Sequence, residues 1–224
     1  MIGHVLKLSR LAWPLVMAAL LGLGGCATAM MTLSKDELQN IRIARVDVVY
    51  EKDTGIMWEK AELEYIQLAK SRQTKDEKPK PWKQVMPEDI EAKKNEYQDL
   101  VNSPEGKAHI QARLRQEIST RLGNALAPKF SGGTRPVVVE VTVKAFIIPS
   151  PAQRVVLGGS PAIGAVTVLK DAQTGAVLAK MDRAAAAYAG NGVLGVLVDQ
   201  ALPDLEDRVL DSYNRQVVDW LTAA

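Results

Sequence analysis

The feature that most constrains the fold of this chain is a regular alternation of apolar and polar residues over residues 137–148. Every second position is apolar: Val137, Val139, Val141, Val143, Ala145 and Ile147. The positions between them include Glu140, Thr142 and Lys144. Because successive side chains of a strand point to opposite faces of a sheet, the pattern predicts a strand with one face in the core. The other face is expected to be at least partly in water.

An amphipathic helix is predicted before this strand, and its apolar face is a suitable partner for the sheet. Apolar residues recur at steps of four, which places them on one side of a helix: Ile110, Leu114, Ile118, Leu122 and Leu126. Ser103-Pro104-Glu105 predicts its start, with proline at the first helical position. A polar helix is predicted over residues 87–101, and Ser34 with Glu37 fits a capping box.

The remaining segments predict two further strands in a hairpin, an early strand and a final helix. Residues 41–50 are rich in β-branched side chains, and Asp53-Thr54-Gly55 is typical of a turn. Residues 162–170 and 176–182 flank the hairpin turn Asp171-Ala-Gln-Thr-Gly175. The final helix, residues 203–221, carries a buried stripe of Leu205, Val209, Tyr213, Val217, Trp220 and Leu221.

The order β-α-β-β-β-α predicts an α+β fold. We expect a mostly antiparallel mixed sheet of about four strands, with helices packed on one face. The first strand would join in parallel through the helical crossover. Residues 38–224 are expected to form one domain, with a basic insert rich in lysine and proline at residues 71–85. That insert is either a solvated loop or a contact with anionic lipid.

Residues 1–25 have the form of a bacterial lipoprotein signal peptide. Lys7 and Arg10 precede an apolar run, and Leu23-Gly24-Gly25-Cys26 ends the segment with the only cysteine of the chain. The run is shorter than the roughly 20 residues that span a bilayer. We expect Cys26 to carry a diacylglycerol and an N-acyl chain, followed by a tether over residues 26–37. Cleavage after Ala29, which would release a soluble protein, and an uncleaved anchor stay open as alternatives.

The rest of the chain has no net charge and few candidates for chemistry. Lys7 and Arg10 are the only ionic side chains of residues 1–25, so 28 − 2 = 26 basic residues balance 26 acidic ones. That balance argues against nucleic-acid binding. His109 is the only histidine beyond the leader, and one histidine cannot assemble a metal site or a catalytic triad. We therefore expect no enzyme activity and no cofactor besides the lipid.

A glycine-rich segment near the C-terminus is the predicted partner surface. Gly190-Asn-Gly192-Val-Leu-Gly195 matches a dinucleotide-binding pattern, but it lacks the parallel βαβ context that such a site needs. A loop that presents an apolar patch is the alternative interpretation. The residues of that patch are Gly192, Val193, Leu194, Val196 and Leu197.

Three sequence blocks resemble a group of small bacterial lipoproteins of uncharacterised function. The blocks are Gly133-Thr-Arg-Pro136-Val-Val-Val-Glu-Val-Thr-Val, Gly158-Gly159 ahead of Ile163, and Val166-Thr-Val-Leu-Lys-Asp171-Ala-Gln-Thr-Gly175. The resemblance covers residues 38–182 and implies a lipidated leader, a helical crossover and a meander with a D-x-x-T-G turn. It brings no catalytic residues.

These observations lead to an expected place and role for the chain. Because Ala27 rather than aspartate follows Cys26, we expect the outer membrane, in the inner leaflet and facing the periplasm. The expected partners are the outer-membrane lipid and an unidentified envelope protein. The expected role is that of a non-enzymatic adaptor or assembly component. The alternative is a periplasmic carrier or sensor of a small apolar or lipid ligand, held between sheet and helices.

The predicted anchor is tested by Cys26→Ala. This change removes the only thiol that can accept a lipid. We expect the protein to leave the membrane fraction or to accumulate as uncleaved precursor, measured by fractionation and immunoblotting. Unchanged processing and membrane association would contradict lipidation.

Overall fold

The computed structural model describes residues 29–73, 87–156, 160–186 and 204–223. In these ranges it contains five strands and six helices. The strands are β1 (Ala29–Met31), β2 (Ile41–Trp58), β3 (Arg135–Ile148), β4 (Ala162–Asp171) and β5 (Val177–Ala186). The helices are α1 (Lys35–Gln39), α2 (Glu59–Gln73), α3 (Pro87–Asn102), α4 (Pro104–Leu126), α5 (Pro151–Val156) and α6 (Leu205–Thr222).

All five strands form one mixed sheet in the order β1-β5-β4-β3-β2. β2 and β3 are parallel, and the other three pairs are antiparallel. The parallel pair needs a crossover, which α2, α3 and α4 supply. Helices α4 and α6 pack against the sheet and against each other. The predicted α+β fold is confirmed, with one strand more than expected.

The additional strand, β1, lies in the segment predicted as a tether over residues 26–37. Met30 pairs with Lys180 of β5, and the backbone N–H of Thr32 donates to the Leu178 carbonyl at 3.0 Å. A three-residue strand has too few positions to show an alternating pattern, so no sequence signal marks it. The sheet therefore includes residues 29–31 of the segment that was predicted as a tether.

Helix α1 begins with the predicted capping box. The Ser34 backbone N–H donates to Glu37 Oε2 at 2.8 Å, and the Glu37 N–H donates to Ser34 Oγ at 3.4 Å. Leu38 of this helix is buried. The cap thus fixes the connection from the edge strand β1 to the opposite edge strand β2.

Strand β2 is longer than predicted, because Asp53-Thr54-Gly55 is not a turn. The pairing with β3 is irregular there: Tyr50 pairs with Val143, and the next pair is Gly55 with Ala145. Thr54 Oγ1 donates to the Val143 carbonyl at 2.9 Å. The turn-forming residues therefore make an irregularity that the sheet absorbs, and β2 continues to Trp58.

Strand β3 lies inside the sheet, and its valine face is core. The first four alternating residues, Val137, Val139, Val141 and Val143, have no solvent exposure. A register shift in the pairing with β4 between Val143 and Ala145 then reverses the alternation. Phe146 is buried as a result, while Ile147 is 39% exposed. The predicted inward position of Ala145 and Ile147 was wrong for this reason.

The helices cover that valine face as their spacing predicts. All five stripe residues of α4 are buried, as are Val209, Tyr213, Val217 and Leu221 of α6. Two buried polar contacts join other elements to α6. Trp58 Nε1 donates to Glu206 Oε2 at 2.6 Å, and the hydroxyls of Thr167 and Tyr213 lie 2.6 Å apart. Because buried polar groups are costly when unpaired, these contacts fix the position of α6.

The predicted hairpin turn is confirmed, and its aspartate holds it together. Asp171 Oδ1 accepts the backbone N–H groups of Gln173 and Thr174 at 3.0 and 2.9 Å. Arg135 donates to Asp171 Oδ2 at 2.9 Å. Gly175 has a φ of 73°, which favours glycine. The Thr174 N–H, followed by Arg135 and the Gln173 N–H, lowers the pKa of Asp171 from its ordinary value of 3.8 to about 2.

The core position of β3 is tested by Val141→Asp. A charge at this fully buried site costs several kcal/mol, roughly the whole stability of a small domain. We expect loss of the cooperative thermal transition in circular dichroism. The control is Val49→Asp, since Val49 of β2 is 41% exposed. A normal melt for Val141→Asp would contradict the burial of this face.

The turn aspartate predicts an acid-dependent part of the stability. A lowered folded-state pKa means that ionised Asp171 stabilises the fold above pH 3.8, and that this contribution is lost as the pH falls towards 2. Asp171→Asn keeps an acceptor for the turn N–H groups but cannot titrate. We expect its unfolding midpoint in urea to fall less between pH 4 and pH 2 than that of the native chain. The exposed carboxylate variant Asp53→Asn is the control, and parallel curves for all three proteins would contradict the assignment.

Candidate interaction surfaces

The residues that the sequence predicts for function lie mostly outside the described ranges. This holds for Cys26, for the predicted partner patch at residues 192–197, and for residues 74–86, which include most of the basic insert. Residues 71–73 of that insert belong to α2. Lys70, beside the insert, lies with its Nζ 4.1 Å from the centre of the Tyr97 ring of α3. The structure thus uses Lys70 in helix packing.

The face of the sheet opposite α4 and α6, the open face, carries exposed apolar side chains. Alternation and pairing place five of them there, each 39–47% exposed: Met30, Val49, Met57, Ile147 and Val177. Val166 and Val168 of β4 lie between these positions and are half-buried. Scattered apolar residues are ordinary on a surface, and of these five only Met57 and Ile147 are paired with each other directly across strands.

Charged side chains occupy only part of the open face, and three ion pairs neutralise many of these charges. Lys144 lies 2.7 Å from Asp182, and Lys170 lies 2.7 Å from Glu140. Arg45 lies 2.9 Å from its neighbour Asp47. The two pairs between different strands, like the pair within β2, contribute modestly to stability. They also reduce the cost of covering this face with a partner, because the charges already have counterions within the chain.

At one end of the open face, β2 and β3 finish. Two successive rows of residues that are paired across the strands contain no ionic side chain there. The first row joins Met57, Ile147 and Ala162. The second joins Gly55, Ala145, Gly164 and Ala184. The second row of this end, the apolar end, consists only of glycine and alanine, so the sheet surface there is low beside Met57 and Ile147. Such a surface admits close approach of another backbone or of large aliphatic side chains.

A groove between α4 and α6 lies on the other side of the molecule. Its volume is about 890 Å³, and most of its lining residues are polar or charged. The charged lining residues are Arg121, Lys129, Arg208, Arg215, Asp211 and Asp219. Asn214, Ser212 and Val218 of α6 line it as well. The groove is large enough for a small-molecule ligand.

Arg121 of the groove belongs to an ion-pair network that joins α4 to α6. It contacts Glu117 at 3.0 Å, Asp211 at 3.6 Å, and Asp207. Partial burial lowers the pKa of Arg121, but the hydrogen bonds to Glu117 and Asp207 outweigh that effect and raise it. Arg121 is therefore held by carboxylates of the chain itself, and it is not available to a ligand.

Clusters that could hold a metal ion are absent from the described ranges. No group of three or more histidine, cysteine or acidic side chains is placed there for that purpose. His109 packs against Tyr65, with ring centroids 5.4 Å apart. This contact gives His109 a place in the packing of α4 against α2.

The space between sheet and helices, where a carried ligand was expected, is occupied by core side chains. Val139 and Val141 of β3 and Leu114 and Ile118 of α4 have no solvent exposure and belong to one apolar cluster.

The described helices include none that is long and apolar enough to cross a membrane.

Comparisons with known proteins identify no family for this chain. No family model matches it, and no curated protein does. Among solved structures, it is similar to a dodecamer of a PelC variant from Paraburkholderia phytofirmans, at 9% identity and a TM-score of 0.41. That match covers 88% of this chain and 95% of the other. A likeness this distant adds nothing to the description of fold or function.

Proposed function

We propose that this chain is a lipoprotein of the bacterial envelope, anchored by Cys26, that binds another envelope protein through the open face of its sheet. The observation that supports the adaptor role most is the set of five exposed apolar side chains on that face. An apolar protein surface buried on binding contributes roughly 25 cal/mol per Å² before the costs of association. A sheet face of four long strands offers such a surface.

The position of β1 indicates which edge of the domain would lie near the membrane. Ala29, the first residue of β1, follows Cys26 by only three positions in the sequence. Fully extended, that stretch reaches at most about 10 Å. A lipid on Cys26 would therefore hold the β1 edge of the sheet close to the bilayer. The partner would bind near the membrane, beside the sheet.

The non-enzymatic part of the proposal has its support in the distribution of polar groups. Three ion pairs on the open face already match cations with carboxylates of the chain, and the two rows of the apolar end have no ionic side chain. The carrier alternative has less support, because side chains fill the space between sheet and helices where its ligand would lie.

The adaptor role is tested by photo-crosslinking in cells. A photoreactive amino acid replaces Met57 or Ile147 at the apolar end in the full-length chain. We expect both positions to give the same crosslinked envelope protein, identified by mass spectrometry. The matched control is Lys107 of α4, which is exposed and lies away from the sheet.

Two outcomes of this experiment decide the proposal. A product from Met57 and Ile147 that Lys107 does not give supports a partner on the open face. Equal labelling of the same abundant proteins from all three positions, or no product from the sheet positions, would contradict it.

A further inference from the structure

The groove between α4 and α6 has a polar floor that the described part of the chain leaves without a partner. Asn214 is 7% exposed, so more than nine-tenths of it is buried. It lines the groove, and its amide makes no hydrogen bond to any residue of the described ranges. The amide atoms of Asn214 are not among the fully enclosed, unpaired polar atoms of the described ranges, so they reach the solvent of the groove. A ligand with hydrogen-bonding groups could replace that solvent.

The charges near Asn214 indicate the sign of such a ligand. A second, smaller cavity of about 180 Å³ shares Lys129 with the groove and adds Lys35. The cations that line the two cavities are Lys35, Arg121, Lys129, Arg208 and Arg215, and the carboxylates are Asp211 and Asp219, a difference of 5 − 2 = +3. Glu117 and Asp207, which bind Arg121, reduce this excess to +1. The local field therefore favours an anion.

The arrangement of donors indicates the kind of anion. Lys129 follows α4, whereas Asn214, Arg215 and Ser212 belong to α6, so ammonium, guanidinium, amide and hydroxyl groups approach from two walls. A carboxylate presents its acceptors in one plane, whereas a phosphate presents acceptor oxygens in several directions. Guanidinium groups bind phosphate oxygens in pairs. The volume of about 890 Å³ leaves room for an organic group beside the phosphate.

We propose that this groove binds an organic phosphate, with the Asn214 amide and the cations Lys129 and Arg215 holding the phosphate oxygens. This site is separate from the open face of the sheet and stands whether or not the adaptor role holds. The same chemistry would be supplied by a phospholipid headgroup or by a soluble phosphorylated metabolite.

The test is a titration of the purified full-length chain in neutral detergent micelles at constant ionic strength. The probes are inorganic phosphate, glycerophosphoglycerol as the phosphodiester headgroup without acyl chains, glycerol 3-phosphate, and acetate as a planar anion. The readout is the side-chain amide signals of Asn214 in nitrogen-15 correlation spectra. We expect saturable shifts with the phosphates and none with acetate.

Two matched variants separate a site from general charge attraction. Lys129→Glu should weaken phosphate binding at least about tenfold, the factor for one lost charge-assisted hydrogen bond. Lys107→Glu makes the same charge change on an exposed lysine outside the groove and should leave the affinity unchanged. Both substitutions are on the surface, so folding should persist, as a thermal melt would confirm.

Each outcome bears on the proposal. A preference for glycerophosphoglycerol assigns a lipid headgroup, and a preference for glycerol 3-phosphate or inorganic phosphate assigns a soluble ligand; both support the site. Unsaturable shifts, an equal response to acetate, or equal weakening by Lys107→Glu would overturn it. Loss of the predicted crosslinks at Met57 and Ile147 would affect only the adaptor proposal.

Discussion

The burial of one face of β3 is the constraint on which the rest of the structure depends. Val137, Val139, Val141 and Val143 exclude water completely, so helices must lie over that face. β3 pairs in parallel with β2, and a parallel neighbour can only be reached by a long crossover. The helical segment from α2 to α4 is that crossover, and its last helix supplies the apolar stripe that covers the valines.

The main elements could be predicted because their signals are local and repeated. The stripe of α4 repeats over five positions and is buried at all five, and the alternation of β3 holds over its first four positions. The wrong predictions concern positions where a single backbone irregularity changes the face of the sheet on which a side chain lies. The shift between Val143 and Ala145 turns Phe146 inward and Ile147 outward. No residue type near Lys144 marks such a bulge, because it depends on pairing with another strand.

The candidate surfaces were harder to predict than the fold for a related reason. The apolar end exists because Ile147 points outward, which the simple alternation excludes. The groove depends on residues from two helices that are far apart in sequence, such as Arg121 and Arg215. One signal was available in α6: Asp211, Arg215 and Asp219 recur at steps of four and mark a charged edge beside its buried stripe. That edge shows which side of α6 faces water, but not which helix lies opposite.

The two proposed sites lie on opposite sides of one sheet, and this has a consequence for an anchored molecule. If β1 sits within about 10 Å of the bilayer, the attachment is at one edge of the sheet, and it limits the distance of that edge without fixing which side faces the membrane. In an edge-on orientation, both the open face and the α4–α6 groove look sideways along the membrane. A headgroup could reach the groove only where the end of α6 comes near the surface, whereas a soluble phosphate has free access. The identity of the bound phosphate would therefore also report how the domain stands on the membrane.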